Sequence, residues 1–113
     1  RYNTEQGRIV YVFMQVTDAE IRLLDRRSRS QLAVASYPQL TTATYSQGKR
    51  PRWRTDLGPA PASTAFDDTV RTFHYVAFQG PSQFLLTRVN RDDLARLRDE
   101  VQKRSSLTIE LER

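Results

Sequence analysis

Few groups in this chain can do covalent chemistry, and their spacing limits what that chemistry can be. His74 is the single histidine, which excludes a multi-histidine metal centre and any reaction that needs two imidazoles. It falls inside the apolar run Thr72-Phe73-His74-Tyr75-Val76-Ala77-Phe78, where a histidine satisfied by its neighbours is a plainer reading than a catalyst. Asp67-Asp68 and Asp92-Asp93 are adjacent carboxylates. Side chains on adjacent residues diverge, so neither pair converges on one proton or cation, and Asp92-Asp93 already suits the first turn of a helix. The chain has no cysteine, so neither a thiolate metal site nor a disulfide framework is available. Its 4 glycines are scattered singly, which excludes a glycine-rich phosphate loop. The expectation is no catalytic set, no metal and no cofactor: a non-enzymatic protein.

Binding chemistry is easier to see. Lys and Arg outnumber Asp and Glu by 18 to 13, for a formal charge of +5. Residues 1–57 hold 10 bases and 5 acids, whereas residues 58–113 hold 8 of each. Between Asp25 and Asp56 no acid occurs, while Arg26, Arg27, Arg29, Lys49, Arg50, Arg52 and Arg54 all do. Of the 18 bases 16 are arginine, the residue suited to bidentate contacts with carboxylate or phosphate. The segment Gly48-Lys49-Arg50-Pro51-Arg52-Trp53-Arg54 surrounds one indole with four bases. Such a stretch can sit on phosphates while Trp53 stacks on a base or enters a membrane interface. The alternative is a solvated basic loop whose Trp53 folds back to cover a barrel. Arg26, Arg27 and Arg29 read as solubility and edge protection, and gain weight only if they lie beside the long loop.

The elements that must position these groups are mostly strands. Residues 8–16 form a β-branched and aromatic run of strand length. Thr17-Asp18-Ala19 is a tight connection, and Glu20 to Leu24 alternates polar and apolar residues. Asp25 to Ser30 contains no apolar residue and reads as an exposed turn. Gln31 to Tyr37 resumes the alternation through Leu32, Val34 and Tyr37, until Pro38 stops it. Leu40 to Tyr45 restarts a strand. From about 46 to 68 the pattern fails, with Gly48, Pro51, Gly58, Pro59 and Pro61 predicting a long mobile loop. Two more strands, 72–78 and 83–89, flank the hairpin turn Gly80-Pro81-Ser82. Asn90 is placed to cap a helix over about 91–104, whose stripe is Leu94, Leu97 and Val101. Leu107, Ile109 and Leu111 predict a short final strand or a tail over the sheet. Tyr11 and Phe13 share a face, as do Phe73 and Tyr75, and one such pair is expected to be exposed for pairing with another subunit.

This order resembles the pleckstrin-homology-like (PH-like) barrels, and more narrowly the small bacterial PH-like domains of unassigned function. Thr17 to Leu23, Tyr37 to Lys49, and Phe84 to Leu94 carry the resemblance, which spans roughly residues 8–105. It implies one domain over 1–113: a bent antiparallel β-barrel or sandwich capped by one C-terminal amphipathic helix. It implies a scaffold rather than an activity. In that family, lipid-binding bases lie on the first two strands and their joining loop. Here that loop is Thr17-Asp18-Ala19-Glu20 and the bases lie elsewhere, so headgroup binding is not carried over.

The functional expectation is a binding or scaffold domain that engages a protein partner or a second copy. The alternative is an anionic ligand, lipid headgroup or nucleic acid, held through the basic window 26–55, with an anionic membrane surface as one such partner. Specific nucleic-acid recognition is not expected, because the one helix opens with acids. No stretch is long and apolar enough to cross a bilayer. The chain opens on Arg1 rather than methionine, which reads as a processed product, with export or membrane association as the expectation.

Overall fold

The computed structural model describes residues 2–3, 9–49, 51–54, 72–105 and 107–111. Its strands are β1 (Tyr2–Asn3), β2 (Ile9–Val10), β3 (Val12–Val16), β4 (Glu20–Asp25), β5 (Gln31–Ser36), β6 (Thr42–Gly48), β7 (Phe73–Gln79), β8 (Phe84–Val89) and β9 (Ile109–Leu111). The helix α1 covers Arg91–Arg104, and a short 3₁₀ turn covers Tyr37–Gln39. The fold is therefore mostly β with one helix near the C-terminus, as the patterning predicts.

The strands form a three-stranded sheet in the order β3-β4-β5 and a four-stranded sheet in the order β8-β7-β6-β9, with β1 and β2 as a separate two-stranded ribbon. The sheets face each other as a sandwich and do not close into a barrel. Every pairing is antiparallel except β6 with β9, which is parallel, with Ala43 opposite Ile109. That pairing resolves the last segment as a strand, and it needs α1 as the crossover that reverses the chain.

Ile21, Leu23, Ala35, Ala43, Val76, Phe78, Leu85, Leu97, Val101 and Ile109 form the shared core between the sheets. Strand β7 is buried from Tyr75 through Gln79, the continuous burial of a strand covered on both faces. Helix α1 matches its predicted bounds. Its first turn carries Asp92 and Asp93, its last Lys103 and Arg104, each sign placed where the helix dipole favours it. Leu97 and Val101 enter the core, with Leu94 packed beside them. The helix runs from the end of β8 against β3 and β9, closing the sandwich on that side. Asn90 occupies the capping position without a side-chain cap bond; its amide instead donates to the Asp93 carboxylate at 3.4 Å.

Two local expectations change. Strand β6 runs to Gly48 because Ser46, Gln47 and Gly48 pair with Tyr75, His74 and Phe73; the irregular loop therefore begins after it, and 55–68 lie outside the described residues. In β5 the alternation is real, but its larger side faces outward. Between Leu23 and Leu24 the pairing with β4 shifts by one residue at Leu32, a bulge. Before that bulge the register is regular, so Ala33 and Ala35 lie opposite the buried Leu23 and Ile21 and point inward, with Ala35 fully buried. Gly80 marks another tight place: a Cβ there would lie 1.8 Å from the Gln39 carbonyl oxygen. Only glycine allows the end of β7 to approach the 3₁₀ turn so closely.

Candidate binding site

The basic loop is not a free arm where it is described. Ser46, buried in β6, accepts the Arg52 N–H at 3.0 Å. Gln79, buried in β7, accepts the Arg54 N–H at 2.9 Å and donates to the Arg54 carbonyl at 2.6 Å. One side-chain amide thus serves as a surrogate strand neighbour, satisfying both backbone groups of Arg54. Between these anchors Trp53 is half-buried, its ring edge-on to Phe84 with centroids 5.6 Å apart. Trp53, Phe73 and Phe84 pack on Tyr75, Ala77 and Leu86, forming a second small core on the outer face of the four-stranded sheet. The Tyr75 hydroxyl donates to the Lys49 carbonyl at 3.4 Å. Lys49 and Arg52 are exposed and Arg54 is half-buried; Arg50 lies outside the described residues. Where it is described, at residues 51–54, the segment lies over the sheet with Trp53 packed on it.

Arg26, Arg27 and Arg29 form the turn between β4 and β5, and all three are exposed. The Asp25 carboxylate organises the turn by accepting the Arg27 N–H at 2.8 Å and the Ser28 N–H at 3.0 Å. These two bonds hold its carboxyl below the usual aspartate range. The Arg29 N–H donates to the Asp25 carbonyl at 2.9 Å, and Arg29 takes φ 65°, the left-handed region that favours glycine. Its guanidinium lies 4.7 Å from the centroid of the Phe13 ring.

The two basic stretches do not form one patch. The turn is the tip of the three-stranded sheet, which packs on the inner face of the four-stranded sheet through Val76, Phe78 and Leu85. Arg52, Trp53 and Arg54 cross the outer face of that same sheet, over Tyr75, Ala77 and Leu86. A whole sheet separates them. Chain neighbourhood within the acid-free window does not become spatial neighbourhood.

What the tip does join is an apolar surface. On the outer face of the three-stranded sheet, Tyr11 is 63% exposed, Phe13 39%, Leu32 36% and Val34 37%. Phe13 lies opposite Leu24, and Val34 opposite Arg22, so these side chains share one face across the strands. Arg22 on that face is bonded to Glu20 at 2.6 Å. Among the described residues, the carboxylates nearest this face, Asp25 and Glu20, are thus engaged locally. The patch is apolar with a basic end. Of the two aromatic pairs singled out in the sequence, Tyr11 with Phe13 is the exposed one. Leu32 and Val34 were legible as residues but not as a surface, because the register that sets Ala33 and Ala35 opposite Leu23 and Ile21 has no sequence signal of its own.

Two further sets of titratable groups are bonded within the frame. The His74 Nδ1 and the Tyr45 hydroxyl are 2.5 Å apart, with the two rings stacked at 12°. Arg104 joins the helix end to the β3–β4 turn, reaching Glu100 at 2.7 Å and Asp18 at 2.6 Å. Those bonds lower the Glu100 carboxyl and raise the Arg104 guanidinium from their ordinary values. Among the described residues no group of three His, Cys, Asp or Glu is placed to hold a metal ion. Asp92 and Asp93 lie in the first turn of α1, and Asp67-Asp68 falls outside the described residues. Among the described residues no helix is long and apolar enough to cross a membrane. No family model matches the chain, and no curated protein matches it in sequence.

Proposed function

We propose that this protein is a non-enzymatic binding domain of PH-like type, which presents the outer face of its three-stranded sheet to a protein partner with an acidic surface. The observation that carries the reading is the bare set Tyr11, Phe13, Leu32 and Val34, ending at three exposed arginines. Aromatic residues and arginine are the types that protein interfaces concentrate. Arg29 adds independent support. A non-glycine residue in the left-handed region costs about 1–2 kcal/mol, while an exposed cation–π contact returns only about 0.5–1 kcal/mol. Stability alone therefore favours glycine at this position, and a surface role accounts for the arginine. Three exposed arginines at one end of the face suit an acidic partner by charge complementarity. The edge of β5 is a poorer candidate than the face, since the bulge at Leu32 distorts it and the Gln83 amide oxygen accepts the Ser36 N–H at 3.2 Å.

The PH-like part of the reading rests on element order: a three-strand meander, a second sheet, and a capping helix directly after the last long strand. A photocrosslinking residue in place of Tyr11, in the cells that express the chain, tests the partner. The expected product is one adduct with a protein bearing an acidic surface. Binding of that purified protein should then weaken about tenfold in Val34→Lys and fall as salt rises. A concentration-dependent dimer blocked by Val34→Lys overturns the acidic-partner reading in favour of a second copy. An adduct pattern unchanged by Val34→Lys overturns the face itself.

A further inference from the structure

The two sheets leave an opening where a closed barrel would have a seam. Strands β3 and β8 are the outermost strands of their sheets, and a cleft of about 570 Å³ lies between them and α1. Residues 11–14 and 16 line one side, and residues 87–90 another. Consecutive residues of a strand point to opposite faces, so a run of neighbours along the wall means that β3 meets the cleft by its edge. One end of the gap already holds a strand. There β1 pairs antiparallel with β2, Tyr2 opposite Val10, and packs against β8. Because β2 leads into β3 through Tyr11, the cleft continues the line of β1.

The hydrogen bonds on the other side of β3 show what its edge offers. The Arg26 N–H donates to the Tyr11 carbonyl at 3.0 Å, and the Thr17 N–H to the Glu20 carbonyl at 2.9 Å. Between these bonded pairs the register with β4 is unbroken, and bonded and non-bonded pairs alternate. Phe13 and Gln15 therefore bond β4, while the N–H and C=O groups of Val12, Met14 and Val16 point into the cleft. Among the described residues β3 is bonded to no strand but β4. Val12–Val16 also lacks the usual guards of an edge, having no proline, no charge and no bulge. The lining is mixed in character. Arg26, Arg88 and Arg96 line it with Asp93 and Glu100. Both carboxylates already have arginine partners, Asp93 lying 3.7 Å from Arg96 and Glu100 2.7 Å from Arg104. The lining is thus net positive, and it shares Tyr11, Phe13 and Arg26 with the exposed face.

We propose that the acidic partner engages this edge with an extended segment of alternating acidic and apolar residues, added antiparallel to β3. The identity of the partner rests on the function proposed above; the edge itself does not. Residues directly opposite across an antiparallel pair share a face. Those opposite Val12, Met14 and Val16 turn inward with them, towards Val89 and Leu97, and are apolar. Those opposite Tyr11 and Phe13 turn outward beside Arg26 and are acidic. Main-chain bonds supply the affinity and alternate side chains the selectivity. An edge recessed between β8 and α1 admits one extended chain rather than the edge of a second sheet, so a separate segment fits better than a second copy.

The test uses the whole chain and a capped, fluorescein-labelled peptide, Glu-Val-Glu-Val-Glu-Val-Glu, read by anisotropy and amide exchange. In the free protein the Val12, Met14 and Val16 amides should exchange well ahead of Phe13 and Gln15. Saturating peptide should slow them about tenfold or more. Met14→Pro removes a donor that faces the cleft and no bond to β4, and should weaken the peptide about tenfold or more. If that variant loses its fold, the peptide N-methylated at its valines removes the same bonds from the other side and should fail to bind. The peptide with lysine in place of glutamate should bind about tenfold more weakly. Val34→Lys, on β5, should leave peptide binding within about twofold. The proposal is overturned by equal protection of all five amides in the free protein, by no peptide binding, or by a lysine or N-methylated peptide that binds as tightly. A concentration-dependent dimer blocked by Met14→Pro overturns it in favour of a second copy. If the protein crosslinked at Tyr11 yields to Val34→Lys but not to Met14→Pro, strand addition fails and the face stands. If the peptide binds as expected and no acidic protein crosslinks at Tyr11, the face reading fails and the edge stands.

Discussion

The two sheets of this molecule treat their outer faces in opposite ways. The four-stranded sheet puts Tyr75, Ala77 and Leu86 outward, and the chain returns to cover them with Trp53, tied down through Ser46 and Gln79. The three-stranded sheet puts Tyr11, Phe13, Leu32 and Val34 outward, and among the described residues nothing comparable covers them. Both faces carry aromatics. What separates them among the described residues is the buried polar hardware: a hydroxyl and an amide that bond a returning backbone on one side, and no counterpart on the other. A sheet built to hold its own cover is structural. On the function proposed above, the sheet with exposed apolar side chains and a basic tip is the one offered to a partner.

The sharpest way to break this comparison is to truncate one aromatic on each sheet. Tyr75→Ala, on the covered outer face of the four-stranded sheet, should cost about 3 kcal/mol or more in urea unfolding. Phe13→Ala on the bare face should cost less than about 1 kcal/mol. Equal losses would mean that the two faces are not energetically different. Gln79→Leu should be next in size. It removes two bonds to the Arg54 backbone, each worth about 1 kcal/mol, for a loss of about 2 kcal/mol. Trp53 emission should shift to the red as the cover lifts, and amide exchange should rise in β6 and β7 rather than in β3 to β5.

Arg29→Gly separates stability from surface function on the bare sheet. Relief of the left-handed strain should outweigh the lost contact to Phe13, raising stability by about 0.5–1 kcal/mol. The same change should weaken partner binding. The smallest effect is the pH dependence of the tip. Asp25 is lowered from its ordinary value of 3.8 by the N–H groups of Arg27 and Ser28. A carboxyl whose folded pKa lies below its unfolded pKa contributes fully above the unfolded value, and that contribution disappears as pH falls through the folded one. The stability gap between the natural chain and Asp25→Ala should therefore be constant near neutrality and shrink only in strong acid, below about pH 4.

Much of the frame was legible because it follows from local rules. The β-branched run before Thr17, the acid-first and base-last helix over 91–104, and the turn at Gly80-Pro81-Ser82 are each determined by neighbours a few residues apart. The site was less legible. The basic window is continuous along the chain, yet Arg26, Arg27 and Arg29 lie on the far side of a sheet from Arg52, Trp53 and Arg54. Leu32 and Val34 read as one side of an alternating strand, but alternation does not say which side faces in. That depends on the register with β4 and on the volume already filled by Ile21, Leu23 and Phe78.

The sequence by itself determined the kind of surface this protein can offer: basic, rich in arginine, mostly β, without a thiol or a second histidine. Composition and local patterning are enough for that, because backbone preferences, capping and charge act over a few residues. Only the tertiary structure decided where that surface lies. The cover over Tyr75 and Leu86, the outward turn of Leu32 and Val34, and the cleft beside β3 all arise from contacts between distant segments. Packing and hydrogen-bond satisfaction settle those contacts for the whole chain at once, and no local stretch encodes them.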